Sequence, residues 1–146
     1  MPDKIRGAVI GYGAAFNMGK HHAGQLKNTE GLECLAICDV DKARTDAAKE
    51  DYPDVKTYNN YKEMLKKEKE LDLCIVVLPH FLHAPVAIDC LKAGKHAITE
   101  KPMCITIAEA TEMINTAREK DLMVTTFHNR RWDADVWTLK ELVNSG

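Results

Sequence analysis

With 146 residues the chain has room for one domain, since soluble domains cluster at roughly 100 to 200 residues, and a two-domain enzyme does not fit within it. Hydrophobic residues at 45% and charged residues at 29% describe a globular chain with a real core and exclude a disordered one. The 20 basic and 22 acidic side chains leave a net charge of −2 with no block of like charge, so nucleic acid is not an expected partner.

In chain order, short apolar runs of strand character alternate with longer segments of helical period, the signal for βαβ units and a parallel sheet. Ile5 to Ile10 reads as the first strand, ended by Gly11, Tyr12 and Gly13, with a helix expected through about Leu26. Leu32 to Cys38 is the second strand, and Asp41 is placed to cap the helix carrying Ala43, Ala47 and Ala48. After Pro53, Val55 to Tyr58 is a weak third strand, and Asn60 with Glu63 has the form of a capping box. Leu73 to Leu78 is continuously apolar, as a central strand buried on both faces should be. Pro79 ends it, Pro85 is expected in the first turn of the next helix, and Gly94 closes that helix. His96 to Thr99 makes a fifth strand. Thr106 and Glu109 form a second capping box, with Ile107, Ala110, Ile114 and Ala117 expected along the apolar side of their helix. Leu122 to Phe127 is the sixth strand, and Asp133 to Asn144 is an amphipathic helix. The fold class predicted is α/β, a doubly wound parallel sheet (Rossmann fold) of six strands with helices on both faces, in a single domain.

The longest apolar run is far short of the about 20 residues a membrane helix needs, and Met1 to Arg6 lacks a signal-peptide core. No membrane association and a cytoplasmic location are therefore expected. Cys34, Cys38, Cys74, Cys90 and Cys104 include no C-x-x-C pair and read as reduced packing residues. His21 with His22 and His80 with His83 lack the further ligands that zinc spacing demands, so no metal site is expected.

A strand ending in Gly-x-Gly before a helix can bring its backbone against a diphosphate, because glycine removes the Cβ and the helix N-terminus offers free N–H donors. Gly11 and Gly13 fit, with Tyr12, Ala14, Ala15 and Phe16 completing the candidate loop; Phe16 stands where a third glycine is usual, and Gly19 follows three residues late. A tight turn without a ligand is the alternative. Asp39, at the end of the second strand, stands where an acid would accept hydrogen bonds from the adenosine ribose, and its charge would repel a 2′-phosphate, favouring NAD over NADP. Its alternative is a solvated residue opening a turn.

Further along, Leu78-Pro79-His80-Phe81-Leu82-His83-Ala84, Ala93-Gly94-Lys95-His96, Glu100-Lys101-Pro102 and Asn129-Arg130-Arg131-Trp132 follow in order, and Gly19-x-x-His22-x-x-x-Leu26 precedes them. In these motifs the chain resembles the Gfo/Idh/MocA family of NAD(P)-dependent oxidoreductases, over essentially its whole length. The resemblance implies that Lys101 is catalytic, beside nicotinamide and substrate, assisting proton transfer while hydride moves. An ammonium suits that role if partial burial brings its pKa toward the working pH. Glu100 and Pro102 are implied to fix the lysine's direction, with the Lys101–Pro102 bond cis. Leu78, Pro79, His80 and His83 are implied to border the cofactor's ribose and nicotinamide, although His80 stands in place of the family's asparagine. Asn129 and Arg130 are implied to lie near the carboxamide and substrate, or else Arg130 and Arg131 brace the domain surface.

The resemblance further implies residues 1–131 as an NAD(P)-binding domain and residues 132–146 as a helix linking to a second, substrate-binding domain. The function expected is the cofactor half of an oxidoreductase moving hydride between a nicotinamide cofactor and a sugar, polyol or related hydroxyl compound, inactive in isolation. A stand-alone NAD-binding or regulatory module and a fragment of an NAD-dependent glycosidase are the alternatives. The apolar side of the last helix, with Trp132 and Trp137, leads us to expect self-association into a homo-oligomer.

Overall fold

The computed structural model describes residues 4–13 and 17–146. Its strands are β1 (Ile5–Ile10), β2 (Leu32–Cys38), β3 (Lys56–Tyr58), β4 (Leu73–Val76), β5 (His96–Thr99) and β6 (Val124–Thr126). Its helices are α1 (Met18–Asn28), α2 (Lys42–Asp51), α3 (Tyr61–Lys67), α4 (His80–Lys92), α5 (Ile107–Glu119) and α6 (Ala134–Ser145), with a 3₁₀ turn at Asn129–Trp132. Every strand pair is parallel and the sheet order is β3-β2-β1-β4-β5-β6. This is the doubly wound Rossmann fold, and its strand order reverses between β1 and β4, where such sheets open a crevice for ligands.

Because side chains alternate across a strand, β1 and β4 feed two cores. On one face Ala8, Ile10, Cys74 and Val76 pack under α3, α4 and α5 through Met64, Ala87, Leu91 and Met113. On the other, Val9, Ile37 and Ile75 pack under α1 and α2 through Ala23, Leu26 and Ala48. Each large aliphatic buried in this way contributes about 1.5–3 kcal/mol. Burial pushes the thiols of Cys34 and Cys38 up to about 12, which keeps them protonated and inert. All five cysteines are free, and Cys104 alone is half-buried.

Polar side chains fix the starts of α2, α3 and α5. Asp41 accepts from Ala43 N at 2.9 Å and opens α2. Thr106 and Glu109 form the full reciprocal box at α5: Glu109 N donates to Thr106 Oγ1 at 3.2 Å and Thr106 N to Glu109 Oε2 at 2.9 Å. At the end of α4, Gly94 adopts φ +79°, with Gly94 N donating to Leu91 O at 2.9 Å and Lys95 N to Cys90 O at 3.0 Å. That pair of bonds satisfies the last carbonyls and turns the chain into β5.

Several expectations are corrected. Asn60 caps α3 by accepting from Lys62 N and, at 3.4 Å, from Glu63 N, which is half of the expected box; the Glu63 side chain pairs with Lys67 at 2.6 Å, one turn along, instead of returning to the cap. Pro85 lies in the second turn of α4, because that helix starts directly after Pro79. The strand ladder of β4 stops at Val76; Val77 and Leu78 leave it to follow the crevice, with Val77 N still bonded to Ile10 O at 2.8 Å. β3 and β6 are likewise shorter than expected. The buried side of α5 is Met113, Thr116 and Ala117, which face α4 and the sheet, whereas Ile107 is 88% and Ile114 38% exposed. No residue of α6 is buried, and its Leu139, Leu142 and Val143 are exposed.

Met113→Ala is expected to lower the unfolding free energy by about 2–5 kcal/mol, as for other fully buried large side chains, while Ile107→Ala stays within about 0.5 kcal/mol. Urea denaturation of the two variants distinguishes this packing of α5 from the one read off its periodicity.

Candidate nucleotide-binding crevice

The crevice at the switch point is made possible by two glycines. At Gly11, φ is +98° and an added Cβ would lie 1.9 Å from Val77 O. At Gly19, in the first turn of α1, an added Cβ would lie 2.2 Å from Gly11 O and 2.5 Å from Tyr12 Cα. Gly19 therefore performs the close helix-to-strand packing expected of a third loop glycine, three residues late. The start of α1 is held against the end of β1, so Gly13, Met18 and Gly19 line a hollow of about 1080 Å³ whose far wall carries Leu78, Pro79, His80, Glu100 and Lys101. A second lobe of about 440 Å³ continues over Gly11, Asp39, Asn59 and Pro79 toward β2. Ala14, Ala15 and Phe16 lie outside the described residues.

Leu78 and Pro79 line both lobes, and Asp39 lines the second. Its Oδ2 accepts from Tyr12 N at 2.9 Å and Gly13 N at 3.1 Å, and its Oδ1 from Asp41 N at 3.0 Å. The carboxylate thus clamps the glycine turn from the neighbouring strand, a task the sequence did not disclose, and among the described residues one acceptor position on Oδ1 is left for a further donor. Tyr12 gives the crevice only its backbone. Its side chain is buried under the loop, where the hydroxyl donates to Asp51 Oδ2 at 2.6 Å while Lys20 Nζ donates to Asp51 Oδ1 at 2.6 Å. The hydrogen bonds from Lys20 and then Tyr12 hold the Asp51 carboxyl below its ordinary value, and burial followed by the Asp51 contact pushes the Tyr12 hydroxyl up.

On the opposite wall, β5 delivers Glu100, Lys101 and Pro102. Glu100 Oε1 lies 2.8 Å from His22 Nε2, in a pair whose side chains are only 12% and 3% exposed, and its Oε2 accepts from Lys101 N at 3.1 Å. Phe127 packs edge-on against His22 at 4.6 Å between ring centroids. His22 belongs to the candidate motif but its contact with Glu100 went unread; its place on the buried side of α1, with Gly19 and Leu26, was the available signal. The Lys101–Pro102 peptide is cis. His83 is fully buried, with Nδ1 2.6 Å from Pro102 O and Nε2 2.8 Å from Leu78 O. His80, the first residue of α4, is exposed, and its ring lies 5.7 Å from that of His83.

Lys101 is exposed, so the partial burial expected of it is not present in this chain. The 3₁₀ turn holds Asn129 and Arg130 away from this hollow. Asn129 lines a neighbouring one of about 800 Å³ with Ile98, Phe127 and Trp132, and Arg130 pairs with Asp133 at 2.9 Å. Among the described residues, no group of three or more His, Cys, Asp or Glu is placed to hold a metal ion, and no helix is long and apolar enough to cross a membrane.

A doubly wound parallel sheet with a glycine-floored crevice and an acid at the end of β2 defines a dinucleotide-binding domain. Residues 5–128 match the model of the oxidoreductase family with an NAD-binding Rossmann fold, and the chain belongs to this family, Gfo/Idh/MocA. It is 35% identical over its whole length to the oxidoreductase YdgJ of Escherichia coli strain K12 and 33% identical over 99% of its length to scyllo-inositol 2-dehydrogenase (NADP(+)) IolW of Bacillus subtilis. It spans about 40% of the length of these relatives: 40% of the first and 38% of the second. Among solved structures, the WlbA dehydrogenase of Chromobacterium violaceum in complex with NADH and UDP-GlcNAcA superposes with a TM-score of 0.89 at 29% identity, covering 98% of this chain and 40% of that one.

Gly19→Ala is expected to cost about 3 kcal/mol or more, because the atoms its Cβ would strike are backbone and cannot swing aside. By contrast Gly94→Ala, whose Cβ would meet nothing within 4 Å, costs about 1–2 kcal/mol, from its left-handed backbone alone. Chemical denaturation reads both. Asp51 supplies a pH test. Because its folded value is depressed, the stability it contributes is fully present above its unfolded value of about 3.9 and is lost as pH falls through the folded one. Thermal unfolding below about pH 4 should therefore fall more steeply in the wild type than in Asp51→Asn.

Proposed function

We propose that this chain is the cofactor-binding part of an oxidoreductase that moves hydride between NAD and a sugar, polyol or related hydroxyl compound. The observation that carries the reading is the single crevice at the switch point with Asp39 at one end and Lys101 at the other. The names of IolW and of the WlbA complex, an inositol dehydrogenase and a dehydrogenase holding NADH with a nucleotide sugar, support the substrate class.

The residues present fit a dinucleotide. The backbone at Gly11 and Gly13 and the start of α1 can approach a diphosphate because no Cβ intervenes. Asp39 Oδ1 retains an acceptor position for an adenosine ribose hydroxyl, and its negative charge disfavours a 2′-phosphate. Leu78, Pro79 and His80 border the other ribose and the nicotinamide end, beside Glu100 and Lys101. When bound, the nicotinamide supplies a hydride acceptor or donor. In the oxidative direction Lys101 Nζ, as the neutral amine, would take the proton of the substrate hydroxyl as the C–H hydride leaves, becoming an ammonium, and in the reductive direction the ammonium would return that proton. Glu100, fixed by His22, limits where the lysine backbone can sit.

The exposure of Lys101 means that this wall must be covered by something else before substrate carbon is held at about 3–3.5 Å from the nicotinamide. We assign that cover to a substrate domain reached through residues 132–146, with α6 as the linking helix and Asn129 and Arg130 making substrate-side contacts. The exposed apolar side of α6 supports this division.

Isothermal titration calorimetry should show NAD binding more tightly than NADP by about tenfold, or 1.4 kcal/mol. Asp39→Ala should weaken NAD and narrow the difference between the two. No heat with either dinucleotide in the wild-type chain would sink the reading.

A further inference from the structure

We propose that His83 is a positioning residue for Lys101. Its imidazole carries a hydrogen on both ring nitrogens and ties the end of β4 to the lysine segment, and loss of one of those protons frees the wall on which Lys101 stands. The significance for hydride transfer rests on the function proposed above, but the clamp itself does not.

The two partners of the ring fix its state. Nδ1 lies 2.6 Å from Pro102 O and Nε2 2.8 Å from Leu78 O, and a carbonyl oxygen only accepts. A neutral imidazole has one N–H and one lone pair, so either tautomer would turn a lone pair on an oxygen at hydrogen-bond distance. With the side chain fully buried, solvent cannot step in for the missing bond. Only the doubly protonated ring meets both acceptors. Burial and its place in the first turn of α4, at the positive end of a helix, both oppose the charge, so the clamp requires the two charge-assisted bonds to buried oxygens to outweigh them.

The location gives the clamp its consequence. Leu78 borders the crevice where the chain leaves β4, and Pro102 directly follows Lys101. The segment is gripped from both sides of the sheet: His22 on α1 holds Glu100 at 2.8 Å, and His83 on α4 holds Pro102. Among the described residues, the titratable groups around His83 are His80 on its own helix, Glu100 and Lys101 in the same crevice, and His22 behind Glu100. The other charged or ionisable groups where α4 meets α3, α5 and β4 stand opposite positions six or more residues further along the helix: Asp89 with Tyr61 and Lys62, Cys90 with Cys74, and Lys92 with Glu112. Lys101 lines the same crevice and carries a charge of the sign that a doubly protonated His83 repels, so loss of a proton from His83 should be felt at the Lys101 ammonium.

The test uses the full chain labelled with ¹⁵N-histidine and ¹³C-lysine, with Lys101 assigned through Lys101→Arg. Long-range ¹H–¹⁵N spectra in neutral buffer should show both His83 nitrogens as N–H donors. As pH is raised, the Lys101 Cε resonance should inflect at the midpoint where His83 loses a proton, and the inflection should be absent in His83→Gln. A single-proton tautomer of His83 in the folded wild type, or a Lys101 resonance that ignores the His83 titration, overturns the proposal, and both readouts come from the wild type even if His83→Gln fails to fold. NADH titration separates the two readings. The expected result is an affinity about tenfold weaker in His83→Gln than in the wild type. If the wild type shows the clamp and its inflection but no NADH binding, the clamp stands and the dinucleotide reading falls.

Discussion

No Cβ fits where Gly11 meets Val77 or where Gly19 meets Gly11, and those two absent atoms set the spacing of β1, α1 and β4. The rest of the site depends on that spacing. It lets the first turn of α1 sit against the end of β1, it draws Val77 and Leu78 out of the ladder toward the crevice, and it leaves backbone at the floor where side chains would otherwise stand. The anchoring of Tyr12 completes the effect. With the phenol bound to Asp51, the amides of Tyr12 and Gly13 turn toward Asp39.

The opposite wall follows from where β5 ends. Glu100 N donates to Val76 O at 3.0 Å, so the lysine segment leaves the sheet directly beside the residues that flank Gly11. A strand end alone would leave three residues free to swing. Here the two neighbours of Lys101 are each bonded to a buried histidine from a different helix, one on either face of the sheet. The lysine side chain keeps its freedom and its backbone does not. The result is a mobile amine on a fixed backbone.

Much of this was legible in the sequence because it is written locally. The bounds of β1, β2 and β5, the caps of α2 and α5, and the turn at Gly94 depend on neighbours a few residues apart, and the continuous apolar run at Leu73 marks the central strand by itself. Gly11, Gly13, Asp39, Leu78, Pro79, His80, Glu100 and Lys101 come together in the crevice for the same reason, since each stands at the end of a strand or in the turn after it. The long-range pairs were not legible. Tyr12 meets Asp51 across 39 residues and His22 meets Glu100 across 78, and no local pattern announces either partner. The face of α5 failed for a different reason. Ile107, Ala110, Ile114 and Ala117 satisfy the helical period as well as Met113, Thr116 and Ala117 do, and periodicity cannot choose between two sides of which one is left largely exposed.

Asp39 joins recognition to the shape of the loop. A carboxylate has about four acceptor positions, and three of the four on Asp39 are taken by Tyr12 N, Gly13 N and Asp41 N. Among the described residues one acceptor position therefore stays open to a further donor, whereas a second direct contact must displace an amide of the glycine turn. The same three N–H groups partly compensate the carboxylate's charge, which softens its repulsion of a 2′-phosphate relative to a bare acid in the same place. The acid at this position therefore acts on the shape of the glycine turn as well as through its charge. Replacing the acid removes the clamp together with the charge, and the loop must find other acceptors for Tyr12 and Gly13 before any dinucleotide can settle on it.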